Sequence, residues 1–214
     1  MQTLTFLSPN DLVDLKSYLA RAKRLDDDGL VKFRAFGDVL ASYVSPIYSG
    51  SLLSDGPTVL GLRAIKLAKP VELDSSFSIS EVMDLIYDAE TELVLPSVSS
   101  RAAWTGVTPP RQGWEEIGTL AQSQVTKWAQ DGIDEVAKTL PSSVGSAIAA
   151  RVRLGIWGKT VSLEFNLPGA SAFAMAGLGF MQKDEDIKVY RTNGWVRLTS
   201  SYGHVLAKQS FKVA

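Results

Sequence analysis

Cysteine is absent from all 214 residues, which removes disulfides, thiolate metal ligands and a cysteine nucleophile together. Histidine occurs once, as His204. A zinc centre built from several imidazoles is therefore excluded within one chain, and a Ser-His-Asp arrangement would have to use that single ring. No apolar run is long enough to cross a bilayer. The first residues, MQTLTFLSP, place no basic region before their short apolar patch, as a signal peptide requires, so a cytoplasmic location is expected. There is no Walker-type loop, no Gly-x-Gly-x-x-Gly and no Gly-x-Ser-x-Gly elbow, so no cofactor is expected. Asp26-Asp27-Asp28-Gly29 resembles part of a calcium loop, but the alternate spacing and distal glutamate are missing. A helix-to-strand turn explains it better, and no metal site is expected.

Charge of one sign is also missing from long stretches. Between Pro70 and Ser100 there are seven acids and no base, and from Ile187 onward five bases and no acid. Residues 1–100 carry a net −5 and residues 101–214 a net +4. Such halves can attract each other, a second copy or separate partners, or can be two solvated faces.

What is present reads as an α+β chain of ordinary composition, 45% hydrophobic and 21% charged. Ser8-Pro9-Asn10-Asp11 is a helix start, followed by Leu12, Leu15, Leu19 and Ala22 at helical spacing. Leu30–Phe36, Val39–Val44 and Thr58–Ala68 read as strands. The loop 45–57 between the last two has room for a short strand. Ser78-Ile79-Ser80-Glu81 has a capping-box pattern before Val82, Leu85, Ile86 and Ala89, with Glu81, Asp84 and Asp88 on the outer face. The expected organisation is an α+β lobe over 1–95, a connecting segment over 96–118 and a helical lobe over 119–214. That last lobe has three helices and ends in an antiparallel sheet. The connecting segment holds Pro96, Pro109-Pro110, Trp104 and Trp114. Tryptophans argue against a loose tether, so the segment is expected to wrap over one or both lobes.

Helix is expected from Thr119, with Thr119 and Gln122 as a second capping box, up to Pro141. Ser142 should cap the next helix, which runs to about Trp157 with Val144, Ile148, Val152 and Ile156 on one side. Thr160–Asn166 reads as a strand or an irregular segment. Ala170–Met181 is helical and carries no charge, so it is either buried or packed against another chain.

Ile187–Thr192 and Trp195–Thr199 flank Asn193-Gly194, the strongest short hairpin signal a sequence offers. A two-residue type I′ turn sets Thr192 opposite Trp195, Tyr190 opposite Arg197 and Lys188 opposite Thr199. Ile187, Val189, Val196 and Leu198 then form a core side. Lys188, Tyr190, Trp195, Arg197 and Thr199 share the other side. That mixture of rings and cations suits a single-stranded nucleic acid or a peptide. It also suits a cross-strand Tyr–Arg pair that only stabilises the sheet, by roughly 0.2–1 kcal/mol. A winged-helix reading fails, because the helix before the hairpin offers no Arg, Lys or Asn to a groove. A last strand is expected from His204 to about Gln209. His204 itself is a candidate acid–base group, with Asp184, Glu185, Ser200 and Ser201 close in sequence, or an ordinary strand histidine.

Several segments carry a resemblance: Pro109-Pro110-Arg111-Gln112-Gly113-Trp114-Glu115, Arg151–Lys159, Ala172-Phe173-Ala174 with Leu178-Gly179-Phe180, Gly194–Thr199 and Gly203–Leu206. Leu19–Asp26 adds a weaker one. Together they resemble a family of uncharacterised actinobacterial proteins without an assigned activity. The resemblance implies an intracellular protein and nothing about chemistry. The chain has Ser201-Tyr202 where that family pattern would have Pro-Arg, so if an arginine there contacts a ligand in relatives, that contact is lost here.

The leading expectation is a non-catalytic interaction protein, a homo-oligomer with a protein or nucleic-acid partner at the C-terminal sheet and no membrane. Its candidate binding residues are Lys188, Tyr190, Trp195, Arg197 and His204. The alternatives are nucleic-acid binding through the basic aromatic sheet, and an enzyme using His204.

Overall fold

The computed structural model describes residues 2–48, 56–87, 89–140 and 145–208. Ser142, Val144, Asp88 and Gln209, each given a role from the sequence, lie outside the described residues, as does most of the loop before Pro57. Five helices are found among the described residues, and all the strand pairs they define are antiparallel, so the fold is α+β. The chain divides into two compact units, 1–46 with 62–107, and 47–61 with 108–214.

In the first unit, β1 (Thr3–Thr5) leads into α1 (Pro9–Leu25). Ser8 is extended at the N-cap, and the Asp11 carboxylate accepts hydrogen bonds from the Ser8 amide at 2.9 Å and its hydroxyl at 3.1 Å. Leu12, Leu15, Tyr18, Leu19 and Ala22 bury one stripe of α1. Strands β2 (Leu30–Phe36), β3 (Val39–Ile47), β4 (Thr58–Lys66) and β5 (Leu73–Ser78) run in the order β5-β2-β3-β4, with Ile47 and the first four residues of β4 falling in the second unit. Helix α2 (Ile79–Tyr87) starts on the residue after β5 and buries Ile79, Val82 and Ile86. No hydrogen bond joins Ser78 to Glu81 in a capping box; sheet pairing of Ser78 with Leu30 fixes the helix start instead. Strand β6 (Glu92–Val94) returns to pair with β1. Strands β1 and β6, of three residues each, escape a periodicity reading because each presents too few alternating residues.

Residues 96–107 stay with the first unit. A 3₁₀ turn at Ala103–Gly106 buries Trp104. Buried Lys32 holds it down, donating to the Thr105 carbonyl at 2.6 Å and pairing with Asp74 at 3.1 Å. The Arg63 guanidinium grips Asp14 of α1 bidentately at 2.6 and 2.7 Å.

In the second unit, β7 (Glu115–Leu120) takes the place of the expected loop end and helix start. Thr119 pairs with Lys188 in the sheet, so it cannot cap a helix; α3 (Gln122–Thr139) begins after Ala121. Then come α4 (Ser146–Trp157), a small hairpin of β8 (Thr160–Ser162) and β9 (Leu167–Pro168), and α5 (Gly169–Gly177). The meander β10 (Ile187–Thr192), β11 (Trp195–Ser200) and β12 (Gly203–Lys208) pairs with β7 in the order β12-β11-β10-β7. The chargeless helix α5 is shorter than expected and buries six of its residues against α3, α4, β9 and β12. Its apolar character is therefore largely accounted for inside its own unit, with Phe173, Ala176 and Gly177 half-buried.

Trp157 is 3% exposed and packs on Phe173, ring centroids 4.5 Å apart. Its ring also lies where a side chain at Gly132 would begin, 2.3 Å from an ideal Cβ. Gly132→Ala should gain about 1 kcal/mol of helix preference and lose more to overpacking, about 1–3 kcal/mol. A lower Tm by calorimetry is expected; an unchanged or higher one refutes the wedge.

Asp26 ends α1, and burial, against a backbone hydrogen bond from Asp28, raises its carboxyl above the usual range. A raised folded-state pKa favours the folded state at low pH and loses that contribution as pH rises through it. Asp26→Asn should stabilise at pH 7 by about 0.3–1 kcal/mol, the size of a helix-end charge effect. The gain should vanish below about pH 4, as urea titrations at both pH values would show.

Candidate functional site: the outer face of the C-terminal sheet

Asn193 and Gly194 both have positive φ, 27° and 78°, and the hairpin register runs from Thr192↔Trp195 to Lys188↔Thr199. The core side is as read from the sequence: Ile187, Val189, Val196 and Leu198 are all buried. The other side gathers residues from four strands. A bulge in β7 sets Gly118 opposite Val189 and Glu116 opposite Tyr190, leaving Ile117 as the extra residue. That shift brings the Glu116 carboxylate onto the outer face. It accepts from the Tyr190 hydroxyl at 3.0 Å and pairs with Lys188 at 3.4 Å. The phenol first, then the ammonium, hold its carboxyl below the usual range.

Arg197 lies opposite Tyr190, its guanidinium carbon 4.4 Å from the Tyr190 ring centroid and 4.6 Å from that of Trp114. The cation is thus held between two aromatic rings. Burial lowers its pKa from the usual guanidinium value, with Tyr190 acting the other way. Its Nε is buried and has no hydrogen-bond partner among the described residues. Trp114 is fixed by an indole N–H bond to the Pro110 carbonyl at 3.0 Å. The segment around Pro110–Trp114 thus lies over the sheet of its own unit, with Gly113 close to Thr192.

That cover changes the expected platform. Trp195 is 3% exposed, so its ring is not open to a base or peptide; Lys208 lies over it at 5.9 Å. Trp114, seen in the sequence only as part of a connecting segment and half-buried here, brings a ring onto Arg197 instead. Nothing in the local pattern announced this, because the contact joins residues 83 positions apart. Lys188 is exposed, and Tyr190 and Arg197 are half-buried. His204 lies on β12 opposite Thr199, its Nδ1 3.0 Å from the Thr199 hydroxyl. Two of the groups read as its accomplices, Glu185 and Ser201, bond to each other. Glu185 accepts from the Ser201 amide at 2.7 Å and its hydroxyl at 3.0 Å, tying down the β11–β12 turn. No group of three or more potential metal ligands occurs among the described residues.

Each half of the chain matches a family of its own. Residues 1–106 match a family described as Domain of unknown function (DUF8010), and residues 109–212 match Domain of unknown function (DUF8185). The two matches meet where the units divide, at 107 and 108. No curated protein matches the sequence. In fold, the chain is similar to DNA polymerase sliding clamps. The DNA polymerase III subunit beta of Pseudomonas aeruginosa superposes with a TM-score of 0.51 at 11% identity, over 100% of this chain and 66% of that one. The DNA polymerase sliding clamp of Caulobacter crescentus gives 0.51 at 9% identity, over 100% and 67%. The chain thus spans about two-thirds of the length of the clamps it resembles. Identities this low speak for the fold alone. No helix among the described residues is long and apolar enough to cross a membrane.

Trp195→Ala should cost about 3–5 kcal/mol of stability, as a buried aromatic truncation does. Exposed Lys188→Ala should stay within about 0.5 kcal/mol. Urea midpoints read by circular dichroism compare them; equal effects would contradict the assigned burial.

Proposed function

We propose that the protein is a non-catalytic interaction protein of the cell interior, acting as a homo-oligomer on a sliding-clamp-like fold. The observation that carries this is the similarity in fold, over all of the given chain and about two-thirds of theirs, to proteins named as DNA polymerase sliding clamps. The opposite charge of the two halves supports association between copies, since unlike patches steer and register an encounter. Light scattering at micromolar concentration should give a mass above that of one chain, falling as salt rises. A monomer unchanged by salt refutes the oligomer.

A second reading is favoured by Arg197. A planar, half-buried guanidinium held between rings, with Lys188 and Tyr190 beside it, suits a phosphate. This reading has the outer face bind single-stranded nucleic acid. Binding of a labelled oligonucleotide, followed by anisotropy, should weaken steeply with salt. Tyr190→Ala should weaken it by about 1–3 kcal/mol, and Arg197→Ala and Lys188→Ala should each lower the salt slope by about one phosphate contact. No binding at low salt refutes this reading.

A further inference from the structure

We propose that an acid-rimmed apolar groove in the first unit receives helix α4 of a second copy of the chain. This rests on the homo-oligomer reading above. The groove, about 450 Å³, lies between α2 and the residues that follow β6. Its apolar lining includes Leu85, Val94 and Val98, which are 42%, 43% and 74% exposed. Glu81 and Asp84, one helical turn apart on α2, stand at its edge.

The acids of the unit fall into two groups, those paired with a base and those left without one, and the rim acids belong to the second. Asp14, Asp38, Asp74 and Glu92 each meet a lysine or arginine. Glu81 and Asp84 form no ion pair among the described residues, and no base occurs between Pro70 and Ser100 to supply one. The groove therefore joins exposed apolar surface to uncompensated negative charge. An occupant that matches it presents an apolar anchor with a cation about one helical turn away.

Helix α4 carries that pattern on its solvent side. Ile148 is 62% exposed, and Arg151, three residues on, is exposed and forms no ion pair among the described residues. At helical spacing the two share one stripe. No acid occurs between Glu135 and Glu164. Ile148 would enter among Leu85, Val94 and Val98, and Arg151 would pair with Glu81 and Asp84, its fork suited to carboxylates. Arg153 lies about 200° around the helix from Arg151, outside this stripe.

Charge exchange in the full chain tests the contact, with mass read by sedimentation and folding checked by circular dichroism. Glu81→Lys with Asp84→Lys in one variant, and Arg151→Glu in another, should each weaken self-association about tenfold or more. Mixing the two variants should restore association, because the lysine-rimmed groove of the first meets the glutamate-bearing helix of the second. Arg153→Glu should leave the mass unchanged. An oligomer of wild-type mass in all variants overturns this contact while leaving the homo-oligomer standing; a monomeric wild type overturns both. Loss of oligonucleotide binding by Arg151→Glu at unchanged mass assigns α4 to nucleic acid and also overturns it.

Discussion

The second unit depends on the placement of one ring. Trp157, at the last turn of α4, is enclosed by Gly132 of α3 and Phe173 of α5. Because glycine leaves the space a Cβ would fill, α3 and α4 can approach closely enough to form one layer. That layer encloses α5, and enclosure is what permits a helix without a single charge. Packing α5 on β12 covers one face of the sheet and leaves the opposite face of β10 and β11 for polar and aromatic side chains. The candidate site is thus a consequence of where the helices sit.

On that opposite face, stability alone does not account for Arg197. Two cation–π contacts contribute about 0.5–2 kcal/mol each. Withdrawing the cation from water and leaving Nε without a partner costs about 1–3 kcal/mol or more. The terms nearly cancel, so a leucine or methionine would serve the sheet about as well. A guanidinium kept under those conditions has more to gain from an acceptor brought by another molecule. Glu116 sharpens this, because its carboxylate is engaged by Tyr190 and Lys188 and does not neutralise Arg197.

Local patterns were legible wherever a segment states its own structure. Ser8 and Asp11 fix the start of α1, and Asn193-Gly194 fixes the hairpin register down to each facing pair. The α+β class followed from these. Strand β7 was not legible, since its pairing depends on β10, some seventy residues on, and a bulge breaks its alternation. The burial of Trp195 was hidden for a related reason. Alternation assigns a residue to a side of the sheet but cannot reveal how deeply tertiary packing buries it there. The same limit concealed Trp114, whose partner is set by tertiary packing.

The groove on α2 raises a choice of geometry that charge decides. An exposed apolar patch with nothing beside it would associate with its own copy, groove to groove, and make a two-fold contact. Here both grooves would bring Glu81 and Asp84 face to face, and unpaired like charges oppose that encounter. The acids keep the apolar residues from self-pairing while leaving them open to a cationic surface. In the proposed contact, attraction runs from the acidic half of one copy to the basic half of another, a heterologous contact rather than a two-fold one. The sequence asymmetry, net −5 before residue 101 and net +4 after it, has the same sense as this local pattern. A helix bearing Ile148 and Arg151 is accepted where a second acidic groove is refused, so one pair of carboxylates supplies both the attraction and the exclusion.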